Sequence, residues 1–256
     1  ITPSPKIMDF PVYLSLGPWK IHPHLLFETI AYSTAFQLLL RHTRRGDVIP
    51  PAQRSLVMIG GLVGALVGTK LLVLLQYGGA IVAQPDRVLQ LLVQGKTIVG
   101  VLLGGVVGVE VTKKIIGVKV ATGDAFVYPL LVGTAIGRIG CFLTGLSDRT
   151  YGIATTLPWG VDFGDGIPRH PTQLYEILFL LGLLVVLRRP NRRLTEIGDR
   201  FRLYMIAYLS FRLAIDFIKP DFHPLFGLSA IQLACVLGLV YYWPHLRRFL
   251  RAPAKT

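Results

Sequence analysis

Residues 54–77 read RSLVMIGGLVGALVGTKLLVLLQY. No charge falls between Arg54 and Lys70. An α-helix needs about 20 predominantly apolar residues to cross the hydrocarbon of a bilayer. Backbone N–H and C=O groups in lipid must be satisfied within the segment, so a run this apolar is a helix and not an open strand. Working outward, six more stretches read the same way: 23–41, 97–113, 123–146, 171–188, 201–218 and 227–246. Residues 88–94 (VLQLLVQ) are apolar but too short to cross, and are expected at the membrane interface. The expected fold class is therefore all-α: a polytopic membrane protein with seven transmembrane helices. The chain, 1–256, is read as a single integral membrane domain, with a small extracytoplasmic head loop at 147–170. A loop of that length is more often functional than a bare connector.

Composition points the same way. Only 16% of residues are charged, 52% are hydrophobic and mean hydropathy is +0.55, against about 25% charged in a soluble domain. The net charge of +13 would suggest nucleic acid in a soluble protein. Here no recognition motif accompanies it, and its distribution has another explanation. One set of connections holds Arg41, Arg44, Arg45, Arg54, Lys113, Lys114, Lys119, Arg188, Arg189, Arg192, Arg193, Arg200, Arg202, Arg247, Arg248, Arg251 and Lys255. The opposite set holds Lys6, Lys20, Arg87, Lys96, Arg149, Arg169 and Lys219. Basic residues collect on the cytoplasmic side, so the expected orientation in the plasma (inner) membrane is N-terminus extracytoplasmic and C-terminus cytoplasmic. The two cysteines, Cys141 and Cys235, lie in apolar segments, which is neither a disulfide framework nor a metal cluster. Glycines at four-residue spacing in three of the stretches (Gly60, Gly64, Gly68; Gly100, Gly104, Gly108; Gly133, Gly137, with Gly140 beyond) are the pattern that lets membrane helices approach closely.

Ionisable groups inside membrane spans are costly, and each is a site candidate. They are Glu28, Lys70, Glu110, Arg138, Glu176, Arg212 and Asp216. Glu110 is near a span end, within reach of the interface. Arg138 sits in the sequence GRIG at 137–140, and HPTQLYE at 170–176 carries His170, Gln173, Tyr175 and Glu176. Pro171 is well placed to open a helix. Tyr208, Arg212 and Asp216 are spaced i, i+4, i+8 and share one helix face; Asp216 can pair with Arg212 or Lys219. His24 stands four residues before Glu28, a pairing suited either to proton transfer or to a structural hydrogen bond. Two buried arginines beside carboxylates suit an anionic phosphate, because guanidinium binds phosphate bidentately. They suit equally an ion-pair network that locks helices together.

At these residues the chain resembles the prolipoprotein diacylglyceryl transferase family. GRIG followed by Phe142, HPTQLYE, the LGP at 16–18, and Phe211-Arg212 followed by Asp216-Phe217 carry the resemblance. It implies seven transmembrane helices and a reaction that moves the diacylglyceryl group of phosphatidylglycerol to the lipobox cysteine in a prolipoprotein signal-peptide region. A thioether forms and glycerol phosphate departs. It implies membrane lipids and the prolipoprotein as partners, no cofactor and no metal. It makes Arg138 and Arg212 the headgroup-holding arginines, lines the cavity with Tyr208, and places a functional glycine at Gly152. The chain also departs from the pattern. Val99 stands where the family has its proposed catalytic histidine, Cys141 where it has an asparagine, Lys70 where it has an arginine, and His24 near its early tyrosine. Leu146 or Asp148 is nearest to its acidic residue. Three readings follow: a family enzyme whose base is now His24 or His170, a paralogous transferase with another acceptor, or a non-catalytic lipid-binding membrane protein.

Overall fold

A computed structural model describes residues 9–44, 48–83, 86, 88–189, 194–220 and 227–251. Lys6, Arg45, Arg87, Arg192, Arg193 and Lys255, counted above for orientation, lie outside the described residues. The chain is helical, with α1 (Pro23–Arg44), α2 (Pro51–Ala83), α3 (Val88–Gln94), α4 (Ile98–Ile116), α5 (Asp124–Thr144), α6 (Thr172–Arg188), α7 (Asp199–Ile215) and α8 (Ala230–Arg251). Seven of these coincide with the long apolar stretches, and α3 with the short one. Among the described residues, two segments, Pro51–Gly79 and Asp124–Asp148, are long and apolar enough to cross a membrane, with mean hydropathy 2.1 and 1.6.

Two small antiparallel hairpins add to the helices: β1 (Leu14–Leu16) with β2 (Trp19–Ile21), and β3 (Val161–Asp162) with β4 (Pro168–Arg169). The head loop thus has a structure of its own. Its β3–β4 turn places Gly164 and Gly166 at positive φ, and Asp162 Oδ1 accepts both of their amide protons.

The chain forms two compact units. The first comprises residues 1–45, 125–191 and 217–220; it holds both hairpins, α1, α6 and all of α5 except Asp124. In it α1 packs on α5 at Gly140, where an added Cβ would stand 2.7 Å from Phe27 Cβ and 3.4 Å from His24 Cα. Gly133 meets Ala35 similarly, whereas a Cβ added at Gly137 would meet nothing within 4 Å among the described residues. The expected glycine packing therefore holds for Gly133 and Gly140 and fails at Gly137. Phe10, Phe142, Phe163 and Tyr151 form an aromatic cluster with ring centroids 5.2–6.0 Å apart, which ties the head loop to the end of α5.

The second unit comprises residues 46–124, 192–216 and 221–256, with α2, α3, α4, α7 and α8. Its main packing is α2 against α4, antiparallel. Gly60 meets Gly108, Gly64 meets Gly104 and Gly68 meets Gly100, backbone on backbone, so that a Cβ at any of them would strike the facing chain. Asp124 caps α7, its carboxylate accepting from Gly198 N at 2.8 Å and Phe201 N at 2.9 Å. That negative charge also suits the positive end of the helix dipole.

Outward helix faces are apolar as well: Leu62, Leu66 and Leu75 on α2, Leu178 on α6, Leu237 and Val240 on α8 are all well exposed. Burying one face while leaving aliphatic side chains on the other is costly in water and expected in lipid.

Candidate functional site

The first unit builds a connected polar cluster where α1, α5, the head loop and α6 meet. Arg138 and Cys141 are one turn apart on α5. A 3₁₀ turn, Gly145–Asp148, follows, entered through Gly145 at φ 70° and left through Arg149 at φ 54°. That reversal brings Asp148 back to α1. Its Oδ1 lies 3.0 Å from His24 Nδ1, while His24 Nε2 is 3.6 Å from Glu28 Oε2. Tyr32 donates to the other oxygen of Glu28 at 2.8 Å. Thr150 donates to Asp148 Oδ2 at 2.6 Å, and Gln173 Nε2 donates to Thr150 Oγ1 at 3.1 Å. Thr172 anchors the same loop by donating to the Thr150 carbonyl. Gln173 Oε1 is buried with no hydrogen-bond partner among the described residues.

Arg138 pairs across helices: its Nε is 2.8 Å from Oε2 of the buried Glu176 on α6, and its Nη1 points at Cys141 Sγ at 3.9 Å. His170 borders this cluster. Its Nδ1 is 3.1 Å from Tyr175 Oη, which also accepts from Trp159 Nε1 at 2.8 Å. Gly152 donates its N–H to the His170 carbonyl at 2.8 Å, and an added Cβ there would meet His170 Cβ at 2.7 Å and the Ile218 carbonyl at 2.8 Å. Glycine at 152 is thus required by close approach.

Cys141 Sγ, one ring nitrogen of His24 and one carboxylate oxygen of Asp148 lie within 4.8 Å of one another. No metal cluster was expected from two isolated cysteines. The three groups come from positions 24, 141 and 148, and only the fold assembles them.

In the second unit the buried centre is Arg212. It donates from Nη2 to Asp216 Oδ1 at 3.1 Å, one turn on along α7. Of the two partners open to Asp216, Arg212 forms a pair with it. Asp216 is fully buried, and its other oxygen accepts from Ser229 Oγ at 2.5 Å. Gln232 exchanges hydrogen bonds with Ser229 at the start of α8 (Ser229 N to Oε1 at 2.9 Å, Gln232 N to Ser229 Oγ at 3.0 Å), and Gln76 Oε1 accepts from Ala230 N at 2.9 Å. Arg212 is 5% exposed, yet its Nε and Nη1 have no hydrogen-bond partner among the described residues. Tyr208 is fully buried one turn before it, stacked on Tyr204 at 5.9 Å.

Lys70 is committed locally, donating to the Gly95 carbonyl just after α3 at 2.9 Å. Glu110 pairs with Lys113 at 2.8 Å. Val99 is 0% exposed within α4 and offers no polar group. Sequence spacing picked out His24 with Glu28 and Arg212 with Asp216. It did not mark Cys141, Thr150, Ser229 and Gln232, each of which also meets a residue remote in sequence (His24, Gln173, Asp216 and Leu213); Cys141 and Asp148 stood out there only by their places relative to the family pattern.

The family model of the prolipoprotein diacylglyceryl transferases matches residues 11–243. Three proteins named phosphatidylglycerol--prolipoprotein diacylglyceryl transferase are similar over 82% of this chain and 82% of their own length: those of Solidesulfovibrio magneticus at 34% identity, Coxiella burnetii at 32% and Methylococcus capsulatus at 30%. On a match that runs through both Arg138 and Arg212, the chain belongs to the prolipoprotein diacylglyceryl transferase family, whose members are bacterial inner-membrane enzymes.

Proposed function

We propose that this chain transfers the diacylglyceryl group of phosphatidylglycerol to the lipobox cysteine of a prolipoprotein, releasing glycerol phosphate. The observation that carries the reading, beside family membership, is Arg212: a buried guanidinium with two nitrogens lacking an acceptor among the described residues. A buried, unsatisfied charged donor costs several kcal/mol, and a phosphate oxygen would satisfy it. Arg212 is assigned to the anionic headgroup, where it also stabilises charge developing on the departing phosphate; Arg138, in the first unit, carries the role that the family resemblance gives it. Glu176 and Asp216 hold those guanidiniums in place, and Tyr208 packs beneath Arg212. Gln173, whose Oε1 is buried and unsatisfied, and Glu28 are assigned to substrate contact. The acceptor thiol is activated at His24, the imidazole oriented by Asp148. His170 and Tyr175 form a rigid edge with Gly152 that shapes the acceptor's approach. Lys70 supports α3 instead of contacting substrate.

The topology belongs to the same proposal. All helices except α3 span the bilayer, with the N-terminus and the 147–170 head outside. The acidic-basic cluster of Glu196, Asp199, Arg202 and Arg248 lies on the cytoplasmic side. Arg212 is then near the outer end of α7, roughly 20 Å along the helix from Asp199 at 1.5 Å per residue.

The test is incubation of the purified chain with labelled phosphatidylglycerol and a lipobox peptide. Thioether-lipidated peptide and stoichiometric glycerol phosphate are expected. Glycerol phosphate release without peptide modification would point to another acceptor, and lipid binding without turnover would show a non-catalytic protein.

A further inference from the structure

Cys141 has no role in the reaction as drawn, yet it is buried beside the imidazole that handles the acceptor thiol. It is not a nucleophile in turnover: a thioether formed on Cys141 has no leaving-group character, so the enzyme would be consumed in one event. We propose instead that His24, Cys141 and Asp148 bind a thiophilic divalent cation, zinc by ligand type, and that the acceptor thiol is its fourth ligand. This rests on the transferase reading above and specifies how that site activates the thiol.

Three observations support it. The first is geometry. One nitrogen, one sulfur and one oxygen lie within 4.8 Å of each other. Ligand atoms around a tetrahedral zinc stand roughly 3.3–3.8 Å apart, given bonds of about 2.0–2.3 Å. His24 Nδ1 and Asp148 Oδ1 already stand at 3.0 Å, so small rotamer shifts complete the set. The mixed N, S, O donor set suits zinc and not magnesium or calcium, and three protein ligands with one open position is the pattern of catalytic zinc.

The second is the surrounding shell. Ligating histidines turn their other ring nitrogen toward a carboxylate. His24 does so: Nδ1 faces Asp148 and Nε2 leans to Glu28 at 3.6 Å. Asp148 is fixed in turn by Thr150, and Arg138, whose Nη1 is 3.9 Å from Cys141 Sγ, is paired with Glu176.

The third is coincidence in space. Cys141 stands where the family pattern has asparagine, His24 near its early tyrosine, and Asp148, with Leu146, nearest to its acidic residue. These departures converge on one point, while buried Val99 removes the family's histidine. The chemistry fits the loss. The thiolate is the nucleophile, and a bound zinc deprotonates a coordinating thiol outright, so no separate histidine base is needed. The acceptor S–H loses its proton on coordination. Sulfur then attacks the diacylglyceryl methylene carbon that bears the phosphate oxygen. The C–S bond forms as that C–O bond breaks, the electron pair leaves on glycerol phosphate, and this phosphate takes up the proton. The thioether product is a weak ligand and leaves.

The experiment uses the full chain purified metal-free in detergent and titrated with Zn²⁺ and, separately, Co²⁺. Expected are about one ion per chain, a sulfur-to-cobalt charge-transfer band that Cys141→Ser abolishes, and affinity weakened about 10–100-fold by Glu28→Gln, which alters only the shell. His24→Ala should weaken it further. Chelation should stop peptide lipidation and Zn²⁺ restore it. Metal uptake without a charge-transfer band, or unchanged by Cys141→Ser in a variant that still binds phosphatidylglycerol, overturns the site. A chelated chain that lipidates at full rate overturns its catalytic role and leaves the transferase reading intact. A metal-loaded chain with the band but no glycerol phosphate release supports the site and overturns the transferase reading.

Discussion

Arg138, its side chain 13% exposed, and Arg212, its side chain 6% exposed, are both arginines in helices, each beside a carboxylate, and they are held in opposite ways. Arg138 is secured from another helix: Glu176 of α6 takes its Nε, so the pair couples α5 to α6. Arg212 is secured from its own helix, by Asp216 four residues on, with Ser229 braced against the far carboxylate oxygen. The first is as much an architectural link as a functional group. The second keeps two buried nitrogens without an acceptor among the described residues, which is what the proposed headgroup role requires. The lesson is that two arginines with the same family role differ in what their removal does to the fold.

The largest effect tests this directly. Arg138→Ala and Arg212→Ala should each lower peptide lipidation about 10²–10³-fold, the usual loss for one transition-state donor. Their stabilities should part. Arg138→Ala removes the inter-helix ion pair from buried Glu176 and should cost about 3–5 kcal/mol. Arg212→Ala leaves Asp216 bonded to Ser229 and should cost clearly less. Thermal unfolding of both variants in the same detergent decides the matter; equal losses would erase the distinction. Arg212→Lys should fail to restore activity, since an ammonium cannot reproduce the planar fork.

Next in size is a change that touches packing and neither arginine. Gly104→Leu in the second unit drives a side chain into the backbone of Gly64, and should cost about 3 kcal/mol, the upper part of the overpacking range. Its neighbour gives the control. An added Cβ at Gly105 meets only the Gly61 carbonyl at 3.6 Å and Ala65 Cβ at 3.8 Å, ordinary contact. Gly105→Ala should therefore be neutral or stabilise by up to about 1 kcal/mol through helix propensity. Similar losses at both positions would mean that the α2–α4 approach is looser than the geometry requires.

Ser229→Ala sharpens the comparison further. It removes the brace on Asp216 and should cost about 1.5 kcal/mol. If Arg212 is a lipid ligand positioned through Asp216, the Michaelis constant for phosphatidylglycerol should rise more than kcat falls. No such change is expected for Thr150→Ala, which disturbs the His24 side of the first unit. A kcat-only effect of Ser229→Ala would reduce it to a structural residue.

These contrasts also mark what a sequence can carry. The helices were legible because hydrophobic length is a one-dimensional signal. The arginines were legible because a charge in an apolar run is conspicuous wherever its partner lies. His24 with Glu28 and Arg212 with Asp216 were legible because one helical turn is four residues. Asp148 facing His24 was not: it needs a 3₁₀ turn entered through a left-handed glycine, and the close approach of α1 to α5 at Gly140. Ser229 on Asp216 was hidden for the same reason, since helix ends meet through folding and not through spacing. Gly137 misled in the other direction, because its place in a glycine repeat suggested packing where the fold leaves room.

The smallest effect lies in the head hairpin, where an exposed pair contrasts with both helix pairs. Arg169 Nη1 is 2.6 Å from Asp165 Oδ1, and that hydrogen bond, outweighing slight desolvation, holds the Asp165 carboxyl below the usual carboxylate range. A depressed folded pKa contributes stability that is present above the unfolded value, near 4, and is lost as pH falls through the folded one. Exposed pairs contribute about 0–1 kcal/mol, so Asp165→Asn should leave global unfolding almost unchanged. Amide exchange at Gly166 and Ile167 should quicken in the variant at neutral pH. In the parent chain the same loosening should appear only below about pH 4, after correction for intrinsic exchange. A hairpin that loosens equally at every pH would show that the pair contributes nothing, and that Asp162 and the two left-handed glycines hold the turn alone.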